Sequence, residues 1–120
     1  MAFRIRAITL DLDDTLWPFA PIGARVEVVL HDWLAQHCPR TAERFPIAAM
    51  RALRDQANAE HPHLVHDFSR MRRMTLERAM RLSGEDPARA DEAFEVFFAE
   101  RNRVECYPDA IAALRRIAAR

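Results

Sequence analysis

The stretch Ile8-Thr9-Leu10-Asp11-Leu12-Asp13-Asp14-Thr15-Leu16-Trp17 places three acidic residues directly after an apolar run. Residues Phe3 to Leu10 are mostly apolar or β-branched, a pattern typical of a strand that is buried on both faces of a parallel sheet. Open α/β sheets bind their ligands at the carboxyl ends of strands, which is where Asp11 would lie. The stretch therefore predicts one N-terminal β-strand whose end carries an acidic site.

The acidic cluster has the composition of a metal or catalytic site. In an extended chain, Asp11 and Asp13 fall on the same side, roughly 6–7 Å apart. Neighbouring carboxylates repel each other unless a cation lies between them, and such oxygen ligands suit a divalent metal. The alternative is a charged turn in which the Asp side chains bond to the local backbone. The apolar run before the cluster and the segment Thr15-Leu16-Trp17 after it favour the chemical interpretation.

Everything after Pro21 has the periodicity of α-helices, with apolar residues three and four positions apart. Asp67 is a good N-cap residue and Gly84 a good residue to follow the end of a helix, so this segment has a predicted start and end. Pro39 ends the first predicted helix. We predict five helices, which begin at Pro21, Pro46, Asp67, Asp86-Pro87 and near Pro108.

The predicted strand has no partner strand in the sequence. A lone buried strand leaves its backbone N–H and C=O groups unpaired, which is costly. Either another chain supplies the sheet or this sequence is the first part of a longer one. The expected fold class is mostly α, a helical bundle with one N-terminal β-strand.

Composition argues against several classes of partner. The 18 basic and 18 acidic residues cancel, whereas proteins that bind nucleic acid or membrane surfaces carry a basic excess. Cys38 and Cys106 form no disulfide framework or zinc motif, and no segment has the pattern of a signal peptide or membrane span. We expect a cytoplasmic chain that binds neither nucleic acid nor membrane. All the basic residues are arginine, and lysine is absent.

The segment Ile8–Trp17 resembles the first motif of the haloacid dehalogenase-like superfamily, D-x-D-x-T after an apolar strand. The stretch His66–Arg73 resembles the cap segment of a bacterial subgroup that dephosphorylates FMN and the phosphoribitylaminouracil intermediate of riboflavin synthesis. Tyr107-Pro108-Asp109-Ala110 resembles the return from the cap to the core. The resemblance implies part of an α/β Rossmann-like fold, with the first core strand and catalytic loop, the helical cap, and the return helix over residues 1–20, 21–106 and 107–120.

The resemblance also implies roles for the acidic residues. Asp11 would be the nucleophile that takes the phosphoryl group, and Asp13 the general acid and base. The Asp11 carboxylate and the Asp13 main-chain carbonyl would bind Mg²⁺. Dehalogenases of this superfamily lack an acid at the second position, so Asp13 favours hydrolysis of a small phosphorylated metabolite, such as FMN or a sugar or nucleotide phosphate.

Three further residues are expected near the substrate. By the same resemblance, Thr15 would hold the loop that positions Asp13. Trp17 follows that loop and would line the pocket or simply pack. Arg70, at the start of the third helix, would reach a substrate phosphate from the cap.

The sequence lacks three later motifs that are expected in the superfamily. The Ser or Thr after the second strand, the Lys before the fourth strand and the later acidic pair cannot be placed, and no lysine exists. We therefore expect a truncated phosphatase with negligible activity alone. The alternative is a non-catalytic helical module that forms a homodimer through its orphan strand and last helix.

Overall fold

Helices make up most of the chain. The structure is a computed structural model that describes residues 4–120. Single 3₁₀ turns over Pro62–Leu64 and Pro87–Arg89 precede two of the helices. The mostly helical class predicted from the sequence is confirmed. The six α-helices are α1 (Phe19–His37), α2 (Pro39–Arg44), α3 (Ile47–Glu60), α4 (Phe68–Leu82), α5 (Ala90–Arg101) and α6 (Ala110–Ala118).

The predicted N-terminal strand is not formed in the part of the chain that the structure describes. Residues 4–12 have no regular secondary structure, and the only β-bridge within residues 4–120 joins Asp13 and Trp17. The side chains of Ile5 and Ile8 are 73% and 52% exposed, so this segment is not buried on both faces. The physical reason is that a strand needs a partner to pair its backbone, and these residues find none. Phe3 lies outside the described residues.

A bundle of α1, α3, α4 and α5 forms the core. Helix α1 packs along α5, α3 packs along α4, and α4 also contacts α5. Every fourth residue of helix α1 faces the core. The buried apolar stripe consists of Ile22, Val26, Leu30 and Leu34. The opposite wall of the core comes mainly from α4 and α5, whose buried side chains include Leu76, Ala79, Met80, Ala93 and Phe94.

The signals that predicted the ends of α4 act as expected. The Asp67 carboxylate accepts a hydrogen bond from the backbone N–H of Arg70, 3.1 Å away. Gly84 has φ of +72°, a conformation that glycine adopts without strain. The N–H of Glu85 donates to the carbonyl of Met80 at 2.8 Å, which completes a Schellman motif.

The short helix α2 was missed by the sequence prediction. Pro39 does end α1 as expected, but it also starts α2 as its first residue. Proline is favoured at that position, because its missing N–H has no partner in a first turn anyway. A six-residue helix is too short to show a periodic pattern.

Replacing Asp67 by alanine is expected to destabilise the fold by about 1 kcal/mol, because the N–H of Arg70 loses its acceptor. Urea denaturation of the two chains measures this difference. Asp67→Asn keeps an oxygen at the same place and should retain most of the stability. An alanine variant as stable as the parent would show that the cap contributes nothing.

Helix α6 lies beside residues 5–10 rather than within the bundle. An open groove separates the two segments, and apolar Ile111 and Ile117 on α6 are 45% and 43% exposed. The radius of gyration is 18.4 Å, against about 14 Å for a compact domain of this length. The molecule is therefore elongated, with an apolar surface open on residues 5–10 and α6. None of the helices in residues 4–120 is long and apolar enough to cross a membrane.

Candidate functional site

The acidic cluster forms a tight loop that leads into α1. The N–H groups of Thr15 and Leu16 donate to the carbonyl of Leu12, at 3.2 and 2.9 Å. Asp14 takes a φ of +61°, which Asp tolerates better than most residues. Its carboxylate accepts from the N–H of Phe19 at 2.9 Å, one of the free donors at the start of a helix. Asp14 is thus a structural residue of the loop.

Asp13 is held from two sides. One carboxylate oxygen accepts from the indole Nε1 of Trp17 at 2.9 Å, and the other from the Arg101 guanidinium at 2.6 Å. The hydrogen bond from Arg101 lowers the pKa of the Asp13 carboxyl below its ordinary value of 3.8, with help from Trp17 and against the effect of partial burial. Asp13 is therefore ionised at neutral pH in this conformation.

Replacing Arg101 by methionine is expected to raise the pKa of Asp13, because the ionised carboxylate loses its main hydrogen-bond donor. Since folding lowers this pKa, ionised Asp13 stabilises the fold above the ordinary pKa of 3.8. That contribution is lost as the pH falls from there through the folded-state value. A carbon NMR titration of the Asp13 carboxyl measures the shift. Arg103→Met is the matched control, since Arg103 bonds to Glu100 instead. An unchanged pKa in Arg101→Met would contradict the assignment.

Asp11 has a different environment from Asp13. It is exposed, and its carboxylate accepts a hydrogen bond from the N–H of Leu12 at 2.9 Å. Within residues 4–120 no arginine forms an ion pair with it. The side chain is therefore open to a ligand, whereas the carboxylate of Asp13 is occupied by protein donors.

The other predicted site residues differ in what they contact. Trp17 is half-buried and fixes Asp13, and Thr15 closes the loop through its backbone N–H. Arg70 is exposed in the first turn of α4. In the described part of the chain, no hydrogen bond or ion pair joins its side chain to Asp11 or Asp13. Its contact with a substrate stays a prediction.

Sequence reasoning missed Arg101. It lies at the end of α5 and is 88 residues from Asp13 along the chain, so no local pattern connects the two. The guanidinium also lies over the ring of Phe19, 5.1 Å from its centre. One residue earlier, Glu100 is buried and bonds to Arg25 of α1. These contacts fix the end of α5 against the acidic loop and the start of α1.

The residues present do not complete a magnesium site. Residues 4–120 contain no group of three or more His, Cys, Asp or Glu side chains placed to hold a metal ion. Mg²⁺ requires near-octahedral oxygen coordination. The Asp11 carboxylate and the Asp13 carbonyl would supply two ligands, while the Asp13 carboxylate is engaged by Arg101. Further ligands would have to come from elsewhere.

Comparisons with known proteins give two relatives, and no family model matches the chain. It is 31% identical over 106 residues to 5-amino-6-(5-phospho-D-ribitylamino)uracil phosphatase YigB of Escherichia coli (strain K12), a match that covers 85% of this chain and 44% of that protein. The crystal structure of a 2-haloacid dehalogenase from Pseudomonas syringae pv. Tomato DC3000 matches with a TM-score of 0.79 and 35% identity, over 90% of this chain and 48% of that one. The chain therefore spans about half the length of each relative.

Proposed function

Because the chain belongs to the haloacid dehalogenase-like superfamily, we propose that it is the first half of a phosphatase that hydrolyses small phosphate monoesters. The two relatives are a phosphatase and a dehalogenase, so similarity alone does not choose between these reactions. The observation that carries the proposal is Asp13, two residues after Asp11. A halide leaves as a stable anion, whereas the alkoxide of a phosphate ester needs a proton from a nearby acid.

Asp11 and Asp13 take complementary roles in this proposal. The Asp11 carboxylate attacks phosphorus and carries the phosphoryl group as an aspartyl phosphate. Asp13 protonates the leaving alkoxide and then accepts a proton from the water that hydrolyses the intermediate. The exposure of Asp11 supports the first role, and the two donors that fix Asp13 support the positioning that the second requires.

The contact with Arg101 favours the base role of Asp13 and disfavours its acid role. An ionised carboxylate is suited to act as a base toward water. To donate a proton it must first be protonated, and the lowered pKa of Asp13 disfavours that state. Opening of the Arg101 ion pair would remove the main cause of that lowering and would favour the acid step.

The proposal extends to the whole protein of which this chain would be a part. Residues 1–20 and 107–120 belong to the catalytic core and residues 21–106 to the cap, with Thr15, Trp17 and Arg70 near the substrate. The substrate is a small phosphorylated metabolite such as FMN or a sugar or nucleotide phosphate, Mg²⁺ is the cofactor, and the cytoplasm is the location. The remaining metal ligands would come from the other half, and so would the lysine that the resemblance implies beside the phosphate, since these 120 residues contain no lysine.

The test compares two reactions of the longer protein of which this chain would be a part, called the full-length protein below, in the presence of Mg²⁺. We expect phosphate release from p-nitrophenyl phosphate and no chloride release from 2-chloropropionate. The 120-residue chain should hydrolyse p-nitrophenyl phosphate no faster than buffer. Chloride release without phosphate release would assign the protein to the dehalogenases, and turnover by the 120-residue chain would contradict the proposed division of the site.

The open apolar surface favours a second candidate function, a non-catalytic module that forms a homodimer. Ile5, Ile8 and Ile117 are each more than two-fifths exposed on residues 5–10 and α6, and an exposed apolar surface commonly marks an interface. In a phosphatase the same residues would contact the rest of the core. Light scattering on the 120-residue chain tests the second candidate, because a monomer at all concentrations would exclude the dimer.

A further inference from the structure

A small recess opens between α1, α3 and the first half of α4, away from the acidic loop. Its floor consists of apolar core side chains, and its volume is about 20 Å³, where roughly 10–15 Å³ holds one water molecule. Leu30, which lines it, lies roughly 16 Å along α1 from Phe19, at 1.5 Å per residue. The polar side chains around the recess are Glu27, His31, Arg51, Arg54 and Arg72.

The charges around the recess do not balance. Arg51 bonds to both carboxylate oxygens of Glu27, so these two neutralise each other. Arg54 lies 3.6 Å from Asp55, whose side chain is 72% exposed. Arg72 takes part in no hydrogen bond or ion pair within residues 4–120. Three guanidinium groups therefore surround a recess that contains a single carboxylate.

Arg72 is the unusual member of this group. Its guanidinium lies over the ring of Phe97, 4.3 Å from the ring centre. Burial lowers the pKa of Arg72 to about 10, and the nearby positive charge of Arg54 acts in the same direction. The side chain is still a cation at neutral pH. The negative charge of Glu27 acts in the opposite direction on that pKa, but both carboxylate oxygens of Glu27 already bond to Arg51. An anion beside Arg72 would therefore offset more of the cost of partly withdrawing this cation from water.

We propose that this recess binds a small oxyanion group, a carboxylate or a phosphate, held by Arg72 and Arg54. Its size admits one oxygen of the group, and the remaining atoms lie at the open rim. Guanidinium groups donate several hydrogen bonds in one plane, which suits both kinds of oxyanion. The site lies apart from Asp11 and Asp13, and its occupation does not rest on the proposed phosphatase activity.

The test is a titration of the 120-residue chain with inorganic phosphate and, separately, with acetate at constant ionic strength, followed by NMR. We expect saturable binding of at least one anion and a shift of the Arg72 Nε–H resonance. Whichever anion binds identifies the group. Arg72→Met should weaken that binding about tenfold or more. The absence of saturable binding of both anions would overturn the proposal.

Arg73 provides the matched control on the same helix. It also lies over a phenylalanine ring, that of Phe94 at 4.3 Å, but its guanidinium faces Asp91 and Glu95 at 3.8 and 3.9 Å. Arg73→Met should leave the affinity within about twofold of the parent, because an exposed charge outside the recess contributes little. Equal losses in Arg72→Met and Arg73→Met would indicate non-specific attraction and would overturn the proposal.

A second variant keeps the test decisive if Arg72→Met does not fold. Glu27→Gln removes the one carboxylate of the recess and releases Arg51 from its ion pair. Anion binding should then tighten, by about threefold or more. A purely structural role for these side chains predicts no such gain. Unchanged or weaker binding in Glu27→Gln would contradict an anion site.

Discussion

Replacing Asp11 by asparagine in the full-length protein is expected to abolish phosphate-ester hydrolysis, with a loss of at least about 10³-fold. The amide is neutral and cannot attack phosphorus as a carboxylate does, so no aspartyl phosphate forms. Asp11 is exposed in this chain, and asparagine has nearly the same size and shape, so the substitution should not unfold the protein. Rates of phosphate release with Mg²⁺ measure the effect.

Asp13 should show a different dependence on the leaving group. Asp13→Asn removes the acid, a change that costs about 10²–10⁴-fold where a proton must be transferred. The loss in kcat/KM, which reports formation of the aspartyl phosphate and not its hydrolysis, should be large for an alkyl phosphate, whose alkoxide needs that proton. It should be smaller for p-nitrophenyl phosphate, whose phenolate is already stable. Asp11→Asn should affect both substrates alike.

Asp14→Asn is the matched control for both variants. The asparagine oxygen can still accept from the N–H of Phe19, the contact that Asp14 makes now, so activity should change by no more than about threefold. Equal losses on the two substrates in Asp13→Asn would contradict the acid role. Activity retained in Asp11→Asn would contradict the nucleophile.

Replacing Leu76 by alanine is expected to cost about 2–5 kcal/mol of stability, because Leu76 is 1% exposed in the core between α4 and its neighbours. That is a large fraction of the 5–15 kcal/mol typical of a whole domain. Leu82→Ala, on the same helix but 46% exposed, should cost less than about 1 kcal/mol. Urea denaturation of the two variants compares them. Similar losses would show that the bundle core is not packed around Leu76.

The parts of the fold that the sequence predicts are those set by local signals. The start of α4 at Asp67 and its end before Gly84 depend on residues within one turn of each other. The buried stripe of α1 follows from spacing alone. Local physics is sufficient in these segments, and the predicted helices form there.

The features that the sequence did not predict correctly depend on groups that are distant in the sequence. The segment around Ile8 has the composition of a strand, but a strand is defined by the backbone it pairs with, and none of the described residues supplies one. The ion pair between Arg101 and Asp13 spans 88 residues. The sequence identifies Asp13 as chemically important, and only the packing of α5 near the loop shows what holds it.

The ion pair between Arg101 and Asp13 also influences the protonation state of Asp13. Arg101 fixes the carboxylate and lowers its pKa, which favours the base form. While Arg101 is in place, the protonated form of Asp13 that an acid role needs is therefore less populated. The pKa measured in Arg101→Met therefore bears on mechanism as well as on stability.

Chemical trapping of the phosphoryl-enzyme identifies the residue that is phosphorylated. The full-length protein is mixed with a phosphate ester and Mg²⁺ and then reduced with borohydride, which converts an aspartyl phosphate into homoserine. Mass spectrometry of the tryptic peptide spanning residues 7–25 then gives the position. We expect homoserine in place of Asp11 alone. Reduction at Asp13 or Asp14, or none during measurable turnover, would contradict it.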